Sequence, residues 1–198
     1  MKNMYRIITN ILKVILKMRG AFIIVNKENL PKNPGYIIAC THRGWVDVVA
    51  LGAAILPEQI HFMAKKELFR NALFSRFLTA INAFPVDRKN PGTSSIKIPI
   101  QLLKSGKNVG IFPSGTRTSE EAPLKRGAVT IAKMGKVPIV PAAYSGPTNL
   151  KELFTNKKIK IIIGNPLIFE YENNNRDEID DNTTRLSEVF RALKKSIN

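Results

Sequence analysis

Residues Tyr36 to Leu51, YIIACTHRGWVDVVAL, constrain the fold of this chain more than any other stretch. An apolar run breaks at a polar cluster and resumes as an apolar run of helical length. His42 and Asp47 sit at the break, with four residues between them. On one regular helix that spacing would rotate them apart by roughly 140°, at about 100° per residue. They meet only if His42 lies in the turn before the helix and Asp47 in its first turn. A carboxylate then holds one ring nitrogen and leaves the other facing a cleft. This is the base and orienter of a catalytic triad without its nucleophile. The same spacing also fits a structural histidine.

The remaining chain repeats the alternation. Strands are expected at Ala21–Val25, Tyr36–Cys40, Ile60–Ala64, Ala83–Val86, Asn108–Phe112, Val137–Tyr144 and Lys158–Ile163. Helices are expected at Val46–Leu56, stopped by Pro57, at Lys66–Ile81, from a capping loop at 91–95 to about Leu103, at Ala128–Met134 and at Thr184–Ile197. The two prolines of Val137 to Pro141, VPIVP, argue for an edge strand or wall. Glu172–Asp181 is polar and acidic and reads as a loose loop. Apolar strands alternating with helices give a single α/β domain with a mostly parallel central sheet flanked by helices. At 198 residues the chain is long enough for one real core.

Residues 1–20 read as a basic amphipathic helix preceding a domain over 21–198. Arg6, Asn10, Lys13 and Lys17 form a polar stripe, and Met4, Ile8, Ile11, Ile15 and Met18 recur on another face. Lys13 and Lys17 interrupt any signal-peptide core. Such a helix lies in a bilayer interface or packs on the domain with a solvated basic face, and the two are compatible. No run reaches the roughly 18 apolar residues of an ordinary membrane span.

The formal charge of +16 calls for an anionic partner: nucleic acid, a phospholipid surface or phosphorylated substrates. It is uneven, because the chain from Glu170 onward holds seven acids and five bases. Charge alone would suit a non-catalytic lipid- or nucleic-acid-binding module. Against nucleic acid, aromatics are only 8% and no helix-turn-helix, RNA-recognition or zinc pattern occurs. One cysteine, Cys40, precludes an internal disulfide and fits a reducing setting. Nothing suggests a metal site, and no cofactor is expected. His61, inside the strand IHFMA, and Cys40 read as structural.

In parallel sheets, sites gather beyond the carboxyl ends of strands. His42, Lys65, Asp87 with Arg88, and Ser114 to Arg117 all follow expected strands. In FPSGTRT, Phe112 to Thr118, Gly115 permits close backbone approach to a ligand. Ser114 and Thr116 offer hydroxyls, and Arg117 offers a fork suited to phosphate.

Taken together, four segments resemble the ordered blocks of the glycerolipid acyltransferase family, in its 1-acylglycerol-3-phosphate (lysophosphatidic acid) acyltransferase type. They are His42 to Asp47, FPVDR at Phe84 to Arg88, FPSGTRT, and VPIVP. Ala64 to Phe74, AKKELFRNALF, resembles the family's stretch between the first two blocks, and the likeness spans about residues 20 to 165. The resemblance implies His42 as general base and Asp47 as its orienter. Acyl-CoA or acyl-carrier protein would be the donor, and a lysophospholipid the acceptor. Lys65 and Arg117 would hold the acceptor phosphate, with Arg88 nearby and Ser114, Gly115 and Thr116 shaping the pocket. A peripheral position at the cytoplasmic face of the cell membrane, on an anionic surface and without nucleic acid, is the matching expectation. Two departures bear on the acceptor: Thr41 stands where the family usually has Asn, and Ser114 where it usually has Glu. A different acceptor within the same chemistry is the alternative they raise.

Overall fold

The computed structural model describes residues 2–18, 22–87, 92–114, 123–153, 155, 157–170 and 175–197. The strands are β1 (Phe22–Val25), β2 (Ile37–Cys40), β3 (Ile60–Lys65), β4 (Ala83–Val86), β5 (Asn108–Ile111), β6 (Ile139–Ser145) and β7 (Ile159–Ile163). The α-helices are α1 (Lys2–Met18), α2 (Val46–Ala54), α3 (Ala72–Ala80), α4 (Ser94–Lys104), α5 (Gly127–Gly135), the single turn α6 (Leu150–Leu153) and α7 (Arg176–Ile197). Among the described residues one seven-stranded sheet runs β1-β7-β6-β2-β5-β3-β4, and of its strand pairings only β6–β7 is antiparallel. The expected single α/β domain with a mostly parallel sheet is present.

Alternate residues of each strand face opposite layers. Ile38, Cys40, Ile60 and Phe62 join α1 and α2 in one core cluster. Ile37, Ala39, Val109 and Ile139 join α4, α5 and α7 in another. β2 is buried at every residue, as a strand covered on both faces must be. α2, VDVVALGAA, is almost wholly interior, between the sheet and α1. Gly52 admits α1 closely: a Cβ there would lie 3.4 Å from the Tyr5 hydroxyl. Tyr5, Thr9 and Leu16 form the face of α1 that docks on the domain, and the Tyr5 hydroxyl accepts the Ile60 N–H at 3.2 Å. Met4, Ile7, Ile11, Val14, Ile15 and Met18 are exposed on the other side. Among the described residues no helix is long and apolar enough to cross a membrane.

Three expectations need correction. β6 is an interior strand, paired with β2 and β7, rather than an edge. Its Pro141 is tolerated because the β7 side bulges there. Ala142 pairs with Ile163 and Ile139 with Leu167, so one extra residue is accommodated, and the Gly164 N–H reaches back to the Pro141 carbonyl at 2.8 Å. Of the acidic stretch expected as a loop, residues 172–174 lie outside the described residues and the part from Arg176 on begins α7 instead. Asn175 caps it, with its Oδ1 accepting the Glu178 N–H at 2.8 Å, and Asp177 and Glu178 suit the positive helix start. The buried Lys133 ammonium pairs with Glu178 at 2.5 Å and fastens that turn to α5. Finally, Lys66–Ile81 is not one helix. A 3-10 turn over Lys66–Phe69 precedes α3, whose N-cap Asn71 accepts the Phe74 N–H at 3.0 Å.

Candidate active site

β2 delivers Thr41 and His42 past the carboxyl edge of the sheet, and α2 returns Asp47 in its first turn. The His42 Nδ1 lies 3.2 Å from each Asp47 carboxylate oxygen. Asp47 is fully buried and His42 nearly so. The Arg43 and Gly44 backbone N–H groups also donate to Asp47 Oδ2, at 2.6 and 3.0 Å. A buried carboxylate demands such donors, and three converge on this one. Because the carboxylate only accepts, the proton on Nδ1 is fixed and Nε2 carries the free lone pair.

Further contacts hold this turn. Thr41 Oγ1 accepts the Tyr144 N–H at 3.0 Å, tying the end of β2 to β6, and the Tyr144 hydroxyl donates to the Pro147 carbonyl at 2.6 Å. Gly44 meets the loop after β6 so closely that a Cβ there would fall 1.9 Å from the Thr148 carbonyl oxygen. Burial, reinforced by the Asp47 carboxylate, pushes the Cys40 thiol well above its ordinary range. It is a core residue under the site and poorly suited to nucleophilic attack.

Phe112, just past β5, lays its ring against His42 with centroids 4.3 Å apart. Phe62 stacks on Phe112 at 6.3 Å. Gly110 makes room for this, since a Cβ there would lie 2.6 Å from the Phe62 ring. The aromatic row forms the floor of a groove of about 680 Å³ between α2, α3 and the sheet, bordered by His42. Val48, Val49, Phe62, Leu78 and Ile81 line it, with Trp45, Leu68, Phe74 and Phe77 at its exposed rim. The lining is overwhelmingly apolar, so it suits a hydrocarbon chain running up to the imidazole. A second cavity of about 400 Å³ lies beyond Phe112 and is bordered by Met63, Asp87, Ser95 and Lys125.

Of the residues singled out from sequence, His42 and Asp47 come together as required. Lys65 reaches the same groove from the end of β3, its Nζ 3.7 Å from Glu67. Lys66 is tied to Asp87 at 2.5 Å. Ser114 is half-buried in the turn two residues beyond Phe112. Arg88, Gly115, Thr116 and Arg117 lie outside the described residues. His61 sits on the opposite face, its ring nitrogen 3.3 Å from the Asn108 carbonyl oxygen, with burial lowering its pKa. No cluster of metal-ligating side chains occurs among the described residues. Sequence reading missed the Arg43 and Gly44 amides and the Phe112 ring. The glycines at 44 and 110 were their only trace in the sequence.

The sequence profile described as Acyltransferase matches residues 21–145. The chain is 66% identical over 164 residues to the 1-acyl-sn-glycerol-3-phosphate acyltransferase of Bacillus subtilis, covering 83% of this chain and 82% of that protein. It is 40% identical over 171 residues to the enzyme of the same name from Streptococcus pneumoniae, covering 85% of this chain and 64% of that one. Among solved structures, the 1-acyl-sn-glycerophosphate acyltransferase of Thermotoga maritima superposes with a TM-score of 0.73 at 19% identity, over 96% of this chain and 80% of that one.

Proposed function

The chain belongs to the acyltransferase family and is an enzyme of that kind; on that premise we propose that it acylates the free hydroxyl of 1-acylglycerol-3-phosphate from an acyl thioester, giving phosphatidic acid. One observation carries the mechanism: a buried carboxylate aims the free nitrogen of His42 at an apolar groove. His42 Nε2 takes the proton of the acceptor hydroxyl as its oxygen attacks the thioester carbonyl. The carbon–oxygen bond forms, the carbon–sulfur bond breaks, and the imidazolium returns its proton to the departing thiolate. Asp47 stabilises the imidazolium in between. No covalent acyl-enzyme is required, which agrees with the inert setting of Cys40. The donor is acyl-CoA or acyl-carrier protein, and the acyl chain lies in the groove beneath Trp45 and Phe74. Holding hydroxyl and thioester together supplies several kcal/mol by removing the entropy of encounter.

Lys65 and the Ser114–Arg117 segment, with Arg88, form the acceptor's phosphate site on this reading. Within the expected segment 1–20, α1 serves as a membrane-associating helix docked on the rest of the domain. The exposed apolar side of α1, opposite its docking face, supports that role. The enzyme then works as a peripheral protein at the cytoplasmic face of the cell membrane.

A transferase assay over a panel of lysolipids with both donor types tests this. Preference for lysophosphatidic acid is expected, whereas preference for another lysolipid would assign Ser114 and Thr41 to a different acceptor. His42→Ala is expected to lower turnover by about 10²–10⁴-fold while the fold stays intact, as far-UV circular dichroism would show. Full turnover in that variant would remove His42 from the mechanism.

A further inference from the structure

Resting on the membrane-surface reading above, we propose that α3 is a second lipid-contacting element, seating the mouth of the His42 groove against an anionic bilayer. Leu73 and Phe77 lie four residues apart on one side of this helix, 79% and 46% exposed. An open groove accounts for the exposure of Phe77, Phe74, Leu68 and Trp45, which rim it. It does not account for Leu73, which lies outside the lining. The apolar surface therefore continues past the rim onto the outer side of α3.

Charge identifies what covers it. The lysines beside the groove are balanced, Lys65 by Glu67 and Lys66 by Asp87. Arg70, just before α3, and Arg76 within it are exposed and make no ion pair among the described residues. Uncompensated arginines around exposed aliphatic and aromatic side chains match a layer of anionic headgroups over acyl chains. Trp45 at the rim adds an indole, a ring suited to the boundary between water and lipid. A second copy of the chain fits poorly, because a two-fold interface on this patch would gather the Arg70 and Arg76 of both copies into one region, a like-charge arrangement that costs binding energy. α1 and α3 both lie on the sheet face that α2 covers, so one surface can receive both. An acyl chain can then pass sideways from the lipid layer into the groove.

The test uses the full chain in flotation with vesicles of phosphatidylcholine alone or with added phosphatidylglycerol. The variants are Leu73→Asp and Arg76→Glu, singly and together, each checked by thermal melting. Leu73→Asp is expected to weaken partition onto both vesicle types, and Arg76→Glu only onto the anionic ones. The double variant should lose at least tenfold on anionic vesicles. It should also lose turnover of a vesicle-embedded acceptor, while turnover of a short-chain acceptor dissolved as monomers stays unchanged. Wild-type partition in the double variant would overturn the proposal. So would equal loss on the dissolved acceptor, or a concentration-dependent dimer that Leu73→Asp dissolves. Absence of turnover by the wild type on every acceptor would overturn the functional reading instead, with flotation still deciding the lipid contact.

Discussion

Asp47 illustrates what one buried carboxylate does when its donors are chosen for it. Two of its three N–H partners come from the backbone of the turn it closes, so the side chain shapes the turn and aims His42 at once. On the proposed mechanism, Asp47→Asn removes the negative charge that would stabilise the imidazolium, yet leaves an amide oxygen for Arg43 and Gly44. Turnover is expected to fall by about 10²–10⁴-fold, with little change in KM for the acceptor, as steady-state kinetics would show. An unchanged turnover would reduce Asp47 to a structural tie. The pairing was legible in the sequence as one arrangement that four intervening residues across a turn allow, and the structure decides for it over a histidine without a carboxylate partner. The Phe112 ring was not legible, since it arrives from β5 and only the sheet order brings it under His42.

Local rules misjudged elements where a distant partner decided the outcome. Prolines in VPIVP indicate an edge, and a glycine bulge some twenty residues later cancels that penalty, which no local window can see. Acids in 172–181 indicate solvent, until Lys133 supplies a buried cation for Glu178. By contrast, β2 and α2 were legible because burial on both sides writes unbroken apolar runs. α1 has a subtler duality: besides its polar stripe it carries two largely apolar stretches, and only one of them is docked. Tyr5→Phe tests the docked side by depriving the Ile60 N–H of its acceptor. A loss of about 1–3 kcal/mol in urea unfolding is expected, the usual cost of a buried donor left unmade. A variant as stable as the wild type would show that α1 is held by its apolar contacts alone.

At the scale of the molecule, a charge of +16 is far more than one phosphate-bearing substrate requires, and on the membrane-surface reading proposed above the excess would meet anionic headgroups. Partition onto anionic vesicles should therefore fall severalfold as salt rises from about 0.1 M to about 1 M, where the screening length shrinks from about 10 Å to about 3 Å. A flat profile in the flotation assay would assign binding to the apolar side chains alone. The architecture was readable from the sequence because strand–helix alternation has few solutions, whereas the reversed direction of β1 and β7 relative to the other strands left no sign there. The position of α1 over α2 also carries a practical warning. Biochemists who meet a greasy leading segment often cut it away to keep a protein in solution. Here the cut would take off an outer wall, leaving the helix that bears Asp47 facing water, so a gentle detergent is the better tool for handling this chain.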